Sequence, residues 1–327
     1  MFPLIARVAI GLYLVVHYLR LLPFAASLFS GAGMLADPGL NPGAVAAISP
    51  LYLWDSPAVV RALVIGLIGV ACAYTVGLRT RTMGVLLGLG SLFLWQRNML
   101  TLNPSLPFLG FWFAIQAFTA PNPRGSVDRG LARRRGVTQF VDDLPGDVTA
   151  ALWLVFTVAY SYSGYTKLVS PSWVSGQAVG WMLNGPIGLD NPLARFVAGL
   201  PEPMLQLCTW GVVAVELLAP LALWTRIRPW WWLAALAMHV GLLALVDLQD
   251  ISWGMVVVHL VLVGQGLFPR RLIPEIANET ASSPAVGAVA QPPVSPPQAV
   301  VGPSPATSVV SPRTPFEATW PTVKPAG

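Results

Sequence analysis

Long apolar runs separated by short polar turns fill the first 270 residues and set the reading of everything else. Runs of about 20 apolar residues are long enough to cross a bilayer as helices. Eight are expected here: residues 3–24, 58–77, 83–101, 105–120, 148–166, 204–224, 229–246 and 251–268. Between them lie recognisable breaks. A Gly/Pro-rich loop runs up to Pro57, and a four-residue basic turn, Arg79-Thr80-Arg81-Thr82, follows the second run. Residues 121–147 form a polar loop, and 167–203 a mixed segment. Pro201 and Pro203 suit the start of the sixth run and Pro229 the first turn of the seventh.

The pattern stops after Pro274. Residues 275–327 are rich in Pro, Ala, Ser and Val with few aromatic side chains, a composition that cannot bury enough apolar surface to offset its ordering entropy. This segment is expected to be disordered, either as a plain flexible tail or as a docking segment for a protein partner. The fold class predicted is therefore all-α: a polytopic transmembrane helix bundle of about eight spans, residues 1–270, with a disordered tail over 275–327.

Composition agrees. Hydrophobic residues make up 55% of the 327 and charged residues 10%, against about 25% charged in a soluble domain; mean hydropathy is +0.64. The net charge of +5 would suit a nucleic-acid partner, but most arginines lie in the short loops, where they orient a membrane protein instead. With the N-terminus inside, the cytoplasmic loops hold Arg79, Arg81, Arg124, Arg129, Arg133, Arg134, Arg135, Arg226, Arg228, Arg270 and Arg271, and the opposite side only Arg61, Lys167 and Arg195. That bias predicts a multi-pass protein of the cell membrane with both termini cytoplasmic. The first run is too long for a cleavable signal peptide and lacks a small-residue cleavage site. Cys72 and Cys208, near opposite faces on this topology, read as packed thiols.

Ionisable groups inside spans are costly and rare, so the few present stand out: His17, Arg20, Arg97, Lys167, Glu216, His239 and His259. Lys167 is one of two lysines, the other being Lys324 in the tail. It closes the fifth run just before Pro171, Trp173 and Gly176, a spacing that turns the chain along the bilayer surface. Arg20, Arg97 and Lys167 come late in outward-running helices; Glu216, His239 and His259 lie near mid-span. Arg20 and Arg97 either snorkel to the interface or ring an outward-facing cavity with Lys167. Glu216 needs a partner, and His239 on the next helix is the natural one, as a structural or a functional pair. A lysine in a dry site beside another cation loses part of its preference for the charged form and can serve as a base. The three histidines share no ligand spacing, so no metal is expected.

The run Ser163–Val179, SGYTKLVSPSWVSGQAV, resembles the Gly-x-x-Lys-Leu…Trp-x-x-Gly signature of the HTTM domain, the membrane domain of vitamin K-dependent gamma-carboxylases and their bacterial relatives. Other pieces follow in the order that family has: Gly77-Leu78-Arg79-Thr80-Arg81, Arg97-Asn98…Asn103, Glu216-Leu217-Leu218-Ala219-Pro220 and Met238-His239. The resemblance covers residues 1–270. It implies a carboxylase- or lyase-like enzyme in which Lys167, on the outer side, deprotonates reduced vitamin K or another quinol, supported by Glu216, His239, Arg20, Arg97, Asn103 and Trp173. Two departures argue against glutamate carboxylation: the family's Asn-His pair is Asn103-Pro104 here, and the chain runs into a polar tail where carboxylases carry a large extracytoplasmic domain. Two other readings stand beside the enzyme. One is a non-catalytic partner in maturation or export of a secreted peptide. The other is a small-solute transporter with Glu216 and His239 as a proton relay, although the two halves show no internal repeat.

Overall fold

Local sequence decides where some helices start and stop, and distant contacts decide others. The structure, a computed structural model, describes residues 2–41, 49–101, 103–118, 124–140, 146–224 and 226–263, all within a compact unit spanning Met1–Arg271. The tail for which disorder is expected lies outside the described residues, as do Arg270 and Arg271. Helix α1 (Phe2–Leu21) continues through a 3-10 turn, Leu22–Phe24, into α2 (Ala25–Phe29). Helix α3 (Pro57–Val76) opens on Ser56, whose Oγ accepts from the Val59 N–H at 3.4 Å, with Pro57 at the first helical position. It ends at Gly77, φ 77°, and the Leu78 N–H reaches back to the Ala73 carbonyl at 2.9 Å. A side chain on Gly77 would collide with Ser126 and Arg7.

Helix α4 (Thr80–Arg97) follows so closely, with Arg79 itself at φ 46°, that no neighbouring residue caps it. The cap comes from far along the chain. Asp128, in the first turn of α6 (Val127–Arg134), accepts from the Arg79 N–H and the Thr80 N–H, both at 2.7 Å, and from the Thr80 hydroxyl at 2.8 Å. Arg7 of α1 fixes the same corner by donating to the Gly125 carbonyl at 2.9 Å. Next come α5 (Ser105–Phe118), α7 (Gly146–Leu168), three short helices α8 (Pro171–Val174), α9 (Ala178–Asn184) and α10 (Pro192–Ala198), then α11 (Glu202–Leu217), α12 (Arg228–Leu245) and α13 (Gln249–Val263). No strand occurs among the described residues.

In the packing, α1 lies against α3 and α13, α4 against α3 and α5, α12 against α13, and α7 against α11. Interhelical hydrogen bonds stitch these layers: Tyr18 with Ser91 at 2.7 Å, and Tyr74 donating to Gln116 at 2.7 Å. Around Phe156 the rings of Trp153, Tyr160, Trp231 and His259 meet edge-on or tilted, with centroids 4.7–6.0 Å apart, the geometry aromatic quadrupoles prefer.

A helix stands at each of the eight expected runs. Two, Leu4–Phe29 and Pro57–Val76, are long and apolar enough to cross a membrane, and Ser105–Phe118 and Gln249–Val263 are shorter apolar helices. The sixth run is broken. Helix α11 stops at Leu217, and Ala219–Leu223 is a 3-10 turn, because Pro220 has no N–H to continue the ladder and disfavours helix at Ala219. The mixed segment of residues 167–203 is folded into α8–α10. Cys72 and Cys208 are free but exposed on the outside of the bundle, not packed as expected.

Arg97 does not snorkel. It is fully buried, donating to the Leu35 carbonyl at 3.0 Å and to Asp55 at 3.3 Å, and so pins the loop before α3 to the end of α4. Arg20 is exposed. Arg97→Met keeps the volume but strands the Leu35 carbonyl, which costs about 1–3 kcal/mol. Thermal melts of the detergent-purified protein are expected to show a Tm several degrees lower for Arg97→Met and unchanged for Arg20→Met.

Candidate functional site

The last two turns of α7 carry Ser163 and Lys167, four residues apart and so on one face. Gly164 sits between them because α11 comes close there: a Cβ at Gly164 would be 3.0 Å from the Leu217 backbone nitrogen and side chain. That approach brings Glu216, in the last turn of α11, to the lysine. Lys167 Nζ donates to Glu216 Oε1 and to Ser163 Oγ, both at 2.9 Å, and Ser163 Oγ donates to the same Oε1 at 3.2 Å. Glu216 Oε2 is nearer still to the ammonium, at 2.7 Å, so both carboxylate oxygens take part in the ion pair. The Lys167 side chain is 18% exposed and that of Glu216 8%. The cation is the half of the pair that faces outward.

Trp173 covers it. Beyond α7 the chain doubles back through α8, with the Gly176 N–H donating to the Trp173 carbonyl at 3.2 Å and Gly176 at φ 80°. A Cβ at Gly176 would come within 2.9 Å of Gln206, so glycine lets this turn lie on α11. The Trp210 indole N–H fastens the turn by donating to the Val174 carbonyl at 3.1 Å. The result places Lys167 Nζ 5.0 Å from the centroid of the Trp173 ring, a cation–π contact.

The expected Glu216–His239 pair does not form, because Lys167 and Ser163 already occupy the carboxylate. His239 pairs with Tyr160 instead, Nε2 to Oη at 2.6 Å, and Tyr160 Oη is 3.4 Å from His259 Nε2. His259 Nδ1 faces the Met255 carbonyl at 2.8 Å and therefore carries the proton, leaving Nε2 as an acceptor. One consistent arrangement has the His239 Nε2–H donating to Tyr160 and Tyr160 donating to His259, with the buried His239 Nδ1 left without a partner.

The remaining expected residues lie elsewhere. Asn103 belongs to a third cluster, where its amide donates to Tyr13 at 2.9 Å and to Asp250 Oδ2 at 2.6 Å. His17 Nδ1 meets both Asp250 oxygens at 3.0 Å, and the charge of Arg20 acts on the same carboxylate. Burial works to raise the Asp250 pKa, but the His17 hydrogen bond and charge, the Asn103 amide and Arg20 outweigh it and hold the pKa below the ordinary aspartate value. The outer ring of Arg20, Arg97 and Lys167 thus resolves into three separate sites. Sequence reasoning missed Ser163, Tyr160 and Asp250. Ser163 was recoverable from its i−4 spacing to Lys167; the other two depend on helices meeting across the bundle.

Comparison with family models, with curated proteins and with solved structures finds no match to this chain.

A carboxylate with a lowered folded pKa stabilises the fold above its unfolded pKa, and this is lost as the pH falls through the folded value. With 38% of the Asp250 side chain exposed, the contribution is discounted to about 1 kcal/mol or less. Melts of wild type and Asp250→Asn are expected to differ most above the ordinary aspartate value and to converge as the pH is taken below it.

Proposed function

We propose that this chain is a multi-pass membrane protein with eight crossing helices and both termini cytoplasmic, and that it acts as a membrane enzyme in which Lys167 removes a proton from a substrate reaching it from the outer side. The observation that carries this reading is the Lys167–Glu216 pair: an ammonium with partial access to the outside, backed by a buried carboxylate. Two charges withdrawn from water lose much of their hydration, which brings the ion pair closer in energy to the neutral amine and acid. Passing one proton from Lys167 Nζ to Glu216 leaves an amine lone pair under Trp173 that can take up a proton from the substrate. Ser163 holds the amine in place while its charge changes.

The motif order resembles that of the HTTM domain, and the positive-inside bias supports an outer position for Lys167, the side on which that family's base works. A quinol fits the residues present: Trp173 offers an aromatic face beside the amine, and the Glu216 carboxylate stands behind it. Bound there, a quinol would supply an acidic hydroxyl. A general base contributes about 10²–10⁴-fold, so oxidation of an added quinol by dissolved oxygen, which proceeds through the deprotonated quinol, is expected to fall at least a hundredfold on Lys167→Ala in membranes holding the protein. Equal rates for wild type and variant, or no rate above background in either, would overturn the enzyme reading.

One observation favours a second reading. The break after Leu217 places an ionisable residue at a helix interruption, where transporters place coupling sites. Proton-coupled solute uptake in liposomes that is lost on Glu216→Gln would establish it, and uptake indifferent to that change would remove it.

A further inference from the structure

The turn that covers Lys167 is the least secured part of its surroundings. On one side it continues from α7. On the other, α9 is fixed to α11, where the buried Thr209 hydroxyl accepts the Val179 N–H at 3.2 Å. Between these anchors, α8 contains no buried residue, and Ser170 gives it no side-chain cap. Among the described residues one hydrogen bond joins α8 to α11, from the Trp210 indole N–H to the Val174 carbonyl, and it is exposed. A short element with little buried apolar surface and an exposed hydrogen bond opens locally at small cost.

Both ends of α8 can take up such a movement. Ser170 is extended, at φ −99° and ψ 118°, and Gly176 stands at φ 80° without a Cβ to restrict it. Rotation at these two points moves the four residues together and leaves α7 and α9 in place.

The site requires it. Lys167 Nζ has Ser163 Oγ and both Glu216 oxygens at 2.7–2.9 Å, and the Trp173 ring closes a further side, its centroid 5.0 Å away. A base stands about 2.6–3.2 Å from the atom it deprotonates. That atom needs about 3.5 Å more to clear a ring face. No substrate atom fits between Nζ and Trp173 as they stand. Of the groups around the amine, the ring alone is carried by a loosely held element.

We propose that α8 is a strap that opens about Ser170 and Gly176 to admit the substrate to Lys167 and recloses with the Trp173 ring face against it. The inference rests on Lys167 as the working base and adds how that base is reached.

Access to the amine is measured without turnover. The full chain, purified in detergent, is treated with trinitrobenzenesulfonate, and modification of Lys167 is followed by mass spectrometry against a short lysine peptide added as reference. Trp210→Phe removes the latch and is expected to raise the Lys167 rate about five-fold, the equilibrium weight of one ordinary hydrogen bond. Trp173→Ala removes the cover and is expected to raise it further. In the Trp173→Ala background, Trp210→Phe is expected to add nothing, because an uncovered amine gains nothing from opening. A Lys167 rate indifferent to either single substitution overturns the inference, since the amine is then reached without α8 moving. A Trp210→Phe effect that persists in the Trp173→Ala background also overturns it, by showing a general loosening of the fold. Both of these outcomes leave the base reading intact, because that reading is decided by quinol oxidation.

Discussion

The contact between Lys167 and Glu216 depends on one missing side chain. Gly164 lets α7 and α11 close to a separation at which a Cβ would already press on the Leu217 backbone, and only then do the ammonium and the carboxylate meet. A buried ion pair is poor evidence of stability by itself, since desolvation offsets most of its attraction. Its retention here needs the hydroxyl of Ser163, the ring of Trp173 and the helix end after Leu217 to be in place together. The short helices α8 and α9 have the same dependence: they lie on α11 because the turn at Gly176 lies flat on it, and α10 packs in turn against α9 and α12.

Within that frame the protein separates its polar groups instead of pooling them. Lys167 and Glu216 neutralise one another, Tyr160 bridges His239 and His259, and Asp250 gathers His17 and Asn103, while Arg97 is spent on holding a loop. Each cluster is built across helices, as expected for polar groups buried in a packed interior. The cost is visible at the atoms left over: His239 Nδ1 and the Trp95 indole N–H.

How much of this the sequence disclosed follows from the range of each interaction. Helix positions were legible, since apolar period and punctuation by Ser56, Pro57 and Gly77 are local signals. Lys167 was legible as a lone lysine at a helix end, and Trp173 as its neighbour through the turn. The partner of Glu216 was not. Proximity along the chain favoured His239, whereas the pairing is set by which faces of α7 and α11 meet, a property no single helix carries. Asp250 and Tyr160 carried no local signal, because their roles exist only when α1, α7, α12 and α13 are assembled. Arg97 was placed at the correct end of its helix and misjudged in depth, since the Leu35 carbonyl that receives it comes from a loop with no pattern of its own.

The remote cap on α4 bears on the order of events as the chain is made. Thr80 leaves the ribosome well before Asp128, yet the first turn of α4 has no other side chain to receive its N–H groups. Synthesis is vectorial, and N-terminal parts ordinarily settle first. Here the amino end of the third long helix stays unfinished until the loop after α5 has emerged and α6 has formed. The first four long helices are thus completed as a set, with Asp128 as the latch that closes it.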